Sequence, residues 1–125
     1  MIGLDTNVVV RFLAQDDELQ SPIATRIFSR LTRENPGFIS SVVLAEVSWV
    51  LTRAYRLTRS ALAEAIEGLL RSAEIKTENA EAAWRALGQF QSGRSVEFAD
   101  AFIAAIGALA GATATSAVPY RASTA

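Results

Sequence analysis

Short apolar runs that stop at polar or small residues alternate along this chain with longer stretches whose apolar residues recur every three or four positions. Ile2-Gly3-Leu4 is the first short run, and it predicts a buried strand ending at Asp5-Thr6-Asn7. Val8 to Leu13 suits a short helix packed on the sheet, and Asp16-Asp17-Glu18 makes a polar turn. Ser21-Pro22 marks a helix start with proline at the first helical position. Ile23, Ile27, Phe28 and Leu31 follow at helical spacing, with Arg26, Arg30 and Arg33 on the other side. Asn35-Pro36-Gly37 breaks that helix, and Phe38-Ile39 predicts a second buried strand ending at Ser40-Ser41.

The stretch from Val42 to Leu51 is apolar nearly all round and predicts a central helix, with Glu46 as its one acid. Thr58 or Ser60 opens a helix carrying Leu62, Ala65, Ile66, Leu69 and Leu70. Ala73-Glu74-Ile75 reads as a short strand, and Asn79 as the cap of a helix with Ala83, Trp84, Leu87 and Phe90. After the loop Gln91 to Ser95, a small-residue helix runs from Val96 to Ile106 and stops at Gly111, and Ala112 to Thr115 is the last strand expected. Strands alternating with helices imply a parallel sheet covered by helices on both faces. Right-handed crossovers then put every strand-to-helix junction on one edge, where ligands of open α/β sheets collect.

Composition narrows the chemistry. At 125 residues the chain makes one domain, and with half its residues apolar and a fifth charged it reads as globular. The absence of cysteine excludes disulfides and thiolate metal sites, and the absence of histidine excludes imidazole bases and the usual zinc sites. A metal would have to be held by oxygen, which points to Mg²⁺ or Mn²⁺. A net charge of −1 exerts no general pull on nucleic acid, so such a substrate would need a local arginine patch. No membrane-spanning stretch or signal-peptide pattern is evident, and a cytoplasmic location is expected.

Three acids then stand out. Asp5 is either the cap of the following helix or a ligand at a strand end. Glu46 interrupts an apolar helix, where a buried carboxylate would cost several kcal/mol unless satisfied. It could equally face solvent near the helix start. Glu97 and Asp100 open the late helix, where acids also complement the helix dipole.

The segments Asp5-Thr6-Asn7, Glu46 and Glu97-Phe98-Ala99-Asp100-Ala101 together resemble a PIN-domain ribonuclease, and more narrowly the VapC-type toxins of bacterial toxin–antitoxin pairs. The resemblance covers about residues 1 to 116, with a short tail at 117–125 left over. It implies a three-layer α/β/α sandwich with a central parallel sheet of four to five strands. It also implies a Mg²⁺-dependent endoribonuclease, with Mn²⁺ able to substitute, that forms homodimers and is inhibited by a cognate antitoxin. Matched residue by residue, Asp5, Glu46 and Asp100 are the catalytic and metal-binding acids, and Glu97 is an auxiliary acid. Thr6 and Asn7 position the acids, Ser41 adds a hydroxyl at the pocket edge, and Thr115 is a further supporting residue. Arg11 and Arg94 flank the pocket segments and are the first candidates for RNA contact.

The chain departs from the family after the expected last strand. Where a T-x-D arrangement is usual, Thr115-Ser116-Ala117 stands, and no acid follows. An alternative is therefore a PIN-like binding module, weakened as a catalyst, that still docks an antitoxin. A third reading, a phosphoryl acceptor at Asp5, wants a basic partner, and the one lysine, Lys76, is not at an expected site edge. For the antitoxin, a groove is expected between the helix of Ile23, Ile27 and Leu31 and that of Val43, Val47 and Val50.

Overall fold

A computed structural model describes residues 1–93 and 95–115. Arg94 and the tail from residue 116 onward, including Ala117 and the expected boundary between domain and tail, lie outside the described residues. Among the latter the chain runs β1 (Ile2–Gly3), α1 (Thr6–Ala14), α2 (Gln20–Ser29), β2 (Gly37–Ile39), α3 (Ser41–Arg53), α4 (Arg59–Arg71), β3 (Ile75–Thr77), α5 (Ala80–Gln91) and α6 (Phe98–Leu109). The three strands form one parallel sheet in the order β1-β2-β3. This is an α/β fold with six helices around a parallel sheet, and none of the described helices is long and apolar enough to cross a membrane.

The middle strand β2 explains the register. Gly37 pairs with Ile2 on one side and Ile75 on the other, so among the described residues β1 and β3 are the edges. The expectation of a buried first strand is corrected accordingly, because Ile2 is 41% exposed and the buried residue is Leu4. Gly37 is the point of closest approach. A Cβ built there would stand 2.7 Å from Leu4 Cδ1 and 2.8 Å from Leu31 Cδ1, both in the core. Gly37→Ala is expected to destabilise the fold by about 1–3 kcal/mol through overpacking, read as a lower urea midpoint. Gly88, within α5 with open space at its Cβ position, is the control, and alanine there is expected to stabilise by about 0.5–1 kcal/mol.

Local signals set the helix ends. Val8, Val9 and Val10 are β-branched, yet they lie in α1 because Asp5 caps it and because Val9 and Val10 bury completely or nearly so. Gln15, at φ 52°, ends it in the left-handed region, with its N–H on Arg11 O. The Asp17 carboxylate accepts from Leu19 N and Gln20 N at 2.9 and 2.6 Å and so holds the first turn of α2. Those bonds, Gln20's first, hold its carboxyl below the usual carboxylate range. Thr58 caps α4 and Ser40 caps α3, each accepting from a backbone N–H three residues on.

Two expected strands moved. β3 begins at Ile75, because a turn from Ile75 N to Ser72 O separates it from α4. Ala112 to Thr115 is not a strand: Ala112 N bonds Gly107 O, and Gly111, at φ 100°, turns the chain off the end of α6. The core gathers Leu4, Val9, Ile39, Leu44, Val47, Leu51, Ile66, Leu87, Phe98 and Phe102 from every layer.

Candidate functional site

Because all three strands are parallel, their carboxyl ends lie on one edge, and α1, α3 and α5 each start there. Asp5 follows β1, Ser40-Ser41 follows β2, and Glu78-Asn79 follows β3. This edge is the candidate site.

Asp5 is exposed and serves as the N-cap of α1, with Oδ1 accepting from Val8 N at 2.8 Å. The capping reading of the sequence therefore holds, without excluding a ligand role for the other oxygen. Thr6, the first residue of α1, donates from Oγ1 to Glu46 Oε1 at 2.8 Å. That bond joins two of the three sequence segments across forty positions of chain. Glu46 is exposed, so the apolar surroundings read from its neighbours in sequence do not bury it. Asp100 is exposed in the first turn of α6, which packs on α3.

The other expected residues are placed as follows. Glu97 precedes α6 and pairs with Arg53 at 3.2 Å. Arg53 lies two turns beyond Glu46 on α3, about 10 Å along the axis, so Glu97 is directed toward the far end of that helix. Ser41 is tied to the end of β3: its N–H donates to Glu78 Oε1 at 2.9 Å, and its hydroxyl accepts from Asn79 Nδ2 at 2.8 Å. Asn7 turns toward α2, donating to Gln20 Oε1 at 3.3 Å. Thr115 sits beside Gly107, almost two turns past Asp100 on α6, about 10 Å from it along the helix. Arg11 is held by Gln20, Asp16 and Tyr55, and Arg94 lies outside the described residues. Burial, then a hydrogen bond with Asp16, pushes the Tyr55 hydroxyl above its ordinary range, against the pull of Arg11.

Sequence reasoning missed Glu78, Gln20 and Tyr55. Glu78 was recoverable, since it follows a strand as Asp5 does, but β3 was expected to end at Ile75, two residues earlier. No local signal marks Gln20 or Tyr55.

The donor set fits a hard cation, being all oxygen in a chain with neither histidine nor cysteine. Among the described residues, no group of three acids stands close enough together to hold a metal ion.

A groove of about 630 Å³ opens elsewhere, lined by Phe12 of α1, Phe28 of α2 and Ala65, Gly68 and Leu69 of α4, with Glu64 and Glu74 among its lining. The groove expected between α2 and α3 is thereby corrected: Leu31 and Val47 are core residues, and only Ile23 of that set is largely exposed. Helix α2 stacks on α1 through Phe12 and Phe28, with ring centroids 3.8 Å apart, so the open side faces α4.

The family model described as PIN domain matches residues 2–117. Among solved structures, the chain is similar to a crystal structure of Mycobacterium tuberculosis VapC20, a sarcin-ricin loop cleaving toxin. The identity is 22%, the alignment covers 90% of this chain and 85% of that one, and the TM-score is 0.49. No curated protein matches.

Proposed function

The chain belongs to the PIN-domain family, and on that footing we propose that it is a divalent-metal-dependent endoribonuclease of the VapC toxin type, hydrolysing RNA phosphodiester bonds. The observation that carries this reading is the hydrogen bond from Thr6 to Glu46, which draws the Asp5 helix start and the acid of α3 together on the strand-end edge.

Asp5 and Glu46 are the residues that would hold Mg²⁺ or Mn²⁺, with Asp100 in support from α6. When bound, such a cation acidifies a water and offsets charge on the scissile phosphate. The chain's own residues prepare the site. Val8 N fixes one oxygen of Asp5, leaving the other available. Thr6 fixes one oxygen of Glu46 in the same way and keeps the side chain turned toward α1. Asp100 adds its charge from the first turn of α6. With the Glu97 carboxylate engaged by Arg53, its role is to anchor the start of α6 against α3 rather than to bind the cation directly.

Calorimetric Mn²⁺ titration and RNA cleavage with and without chelator test the reading. Glu46→Gln is expected to weaken metal binding by about tenfold or more, by analogy with losses at groups supporting metal sites, and to suppress cleavage in parallel. Undiminished metal binding in that variant would remove Glu46 from the site.

A second reading is favoured by the absence of a three-acid group among the described residues and of any acid after Asp100 in the sequence. In it the chain is a binding module that cuts poorly and serves chiefly to dock an antitoxin. The groove between α1, α2 and α4 supports docking in either case, since its apolar floor and its glutamates suit an amphipathic segment with basic flanks. Exposed Val42 and Trp49 on α3 and Ile103 on α6 support a homodimer contact, and a cytoplasmic setting belongs to the same proposal. Wild-type protein that binds an antitoxin peptide yet shows no metal-dependent cleavage would favour the second reading.

A further inference from the structure

Asn7 and Arg11 lie one turn apart on the same face of α1, and both donate to a single atom, Gln20 Oε1, at 3.3 and 2.8 Å. A guanidinium has only donors, so the atom of Gln20 that meets Arg11 Nε must be its oxygen. That oxygen in turn can be met only by the amide nitrogen of Asn7, and the carboxamide of Asn7 is thereby left with its oxygen as the free end.

The anchor is itself anchored. Gln20 is the first residue of α2, where the Asp17 carboxylate accepts from its backbone N–H at 2.6 Å. Arg11 reaches further, donating to the Tyr55 hydroxyl at 2.9 Å and pairing with Asp16 at 3.4 Å. Tyr55 follows the carboxyl end of α3, the helix that carries Glu46. The Arg11 side chain is only 26% exposed, with Nε on Gln20 and Nη1 on Tyr55 and Asp16, which suits a strut better than a phosphate contact.

We propose that Gln20 and Arg11 are positioning residues, which together lock the Asn7 carboxamide in one of its two orientations and keep its oxygen as the acceptor at the start of α1. The inference rests on the reading of residues 5 to 7 as part of a cleavage site, and it reassigns Arg11 from RNA contact to the support of Asn7.

The test follows both the side-chain amide resonances of Asn7 and the steady-state kinetics of RNA cleavage in the full chain. Asn7→Asp identifies the resonances by their loss. Gln20→Leu keeps the bulk and removes the acceptor. It is expected to move the Asn7 amide resonances to free-amide positions and lower kcat about tenfold, as for one lost hydrogen bond, with KM unchanged. Gln20→Glu, whose carboxylate still accepts from both donors, is expected to retain the wild-type resonances and kcat. Should Gln20→Leu fail to fold, Gln20→Asn, too short to reach both donors, carries the same measurement.

Unmoved Asn7 resonances on loss of the Gln20 acceptor would overturn the proposal, and so would a Gln20→Glu variant as impaired as Gln20→Leu. Arg11→Met is expected to act like Gln20→Leu. If it instead raises KM and lowers the salt slope by about one phosphate, Arg11 is an RNA contact and the positioning role falls. If wild type shows no metal-dependent cleavage, the nuclease reading fails alone, because the resonances still decide whether Gln20 holds Asn7.

Discussion

Asp5→Asn is expected to abolish metal-dependent cleavage while leaving the melting temperature of the metal-free protein unchanged or slightly raised. The two roles of Asp5 separate in this substitution. Asparagine is as good an N-cap as aspartate, and its Oδ1 can still accept from Val8 N. What it lacks is the charge that a divalent cation requires of an oxygen ligand. Loss of a group that stabilises charge in the transition state costs about a hundredfold or more in rate. Asp5→Ala loses both roles. Cleavage should vanish as before, and the missing cap should cost about 1 kcal/mol, a drop of a few degrees in a domain of this size. Thermal melts in chelator and in Mg²⁺ complete the comparison, since only wild type should gain stability from the cation. An Asp5→Asn protein that cuts RNA at the wild-type rate would leave Asp5 as a cap and nothing more.

The fold was legible where a local signal decided it. The caps at Asp5 and Thr58 are short-range chemistry, and the helices they bound begin where that chemistry puts them, whereas α2 already ends at Ser29, ahead of the break expected at Asn35-Pro36-Gly37. The strands were harder, because a two- or three-residue strand is defined by its partner rather than by its own pattern. Lys76 and Thr77 are polar and look like loop, yet they pair with Phe38 and Ile39, since β3 is an edge of the sheet among the described residues. Ala112 to Thr115 looks like strand, yet the turn after α6 claims Ala112 N, and no described strand pairs with it.

The candidate site was legible only in part, for a related reason. The bond between Thr6 and Glu46 is a tertiary contact, and no local periodicity foretells it. The resemblance gave Thr6 only as a group that positions the acids, without saying which acid it meets. Arg11 shows the converse. Its place beside the Asp5 segment suggested a phosphate contact, but a charge in a sequence states its sign and not its partner. Folding supplied Gln20, Asp16 and Tyr55, and the guanidinium became an internal strut. For Glu46 the sequence left burial and exposure both open, and folding decides it by turning the face of α3 that carries Val42, Glu46 and Trp49 outward.

The largest expected loss of stability comes from Phe98→Ala. Phe98 opens α6 and is 1% exposed. Its ring stacks on Phe102 at 5.6 Å and meets the edge of Phe90 at 6.4 Å, so one side chain locks α6 to α5. It also lines a small cleft of about 80 Å³ with Ser48, Trp49 and Thr52 of α3, which places the same ring against the helix of Glu46. Truncation to alanine removes these contacts and leaves a cavity whose walls are held by three helices, at a cost of about 3–5 kcal/mol. Against a total stability of about 5–15 kcal/mol, that is a large share of the whole. Phe98→Leu should cost less, since it refills most of the volume. Ile103→Ala, on the same helix but 49% exposed, should change stability by about 0.5 kcal/mol or less. Urea unfolding of the three variants measures the contrast. Because Asp100 stands within the same turn as Phe98, Phe98→Ala should also lose cleavage before it unfolds globally, as the start of α6 loosens. Equal midpoints for Phe98→Ala and Ile103→Ala would mean that α6 is not seated on α3 and α5 through this ring.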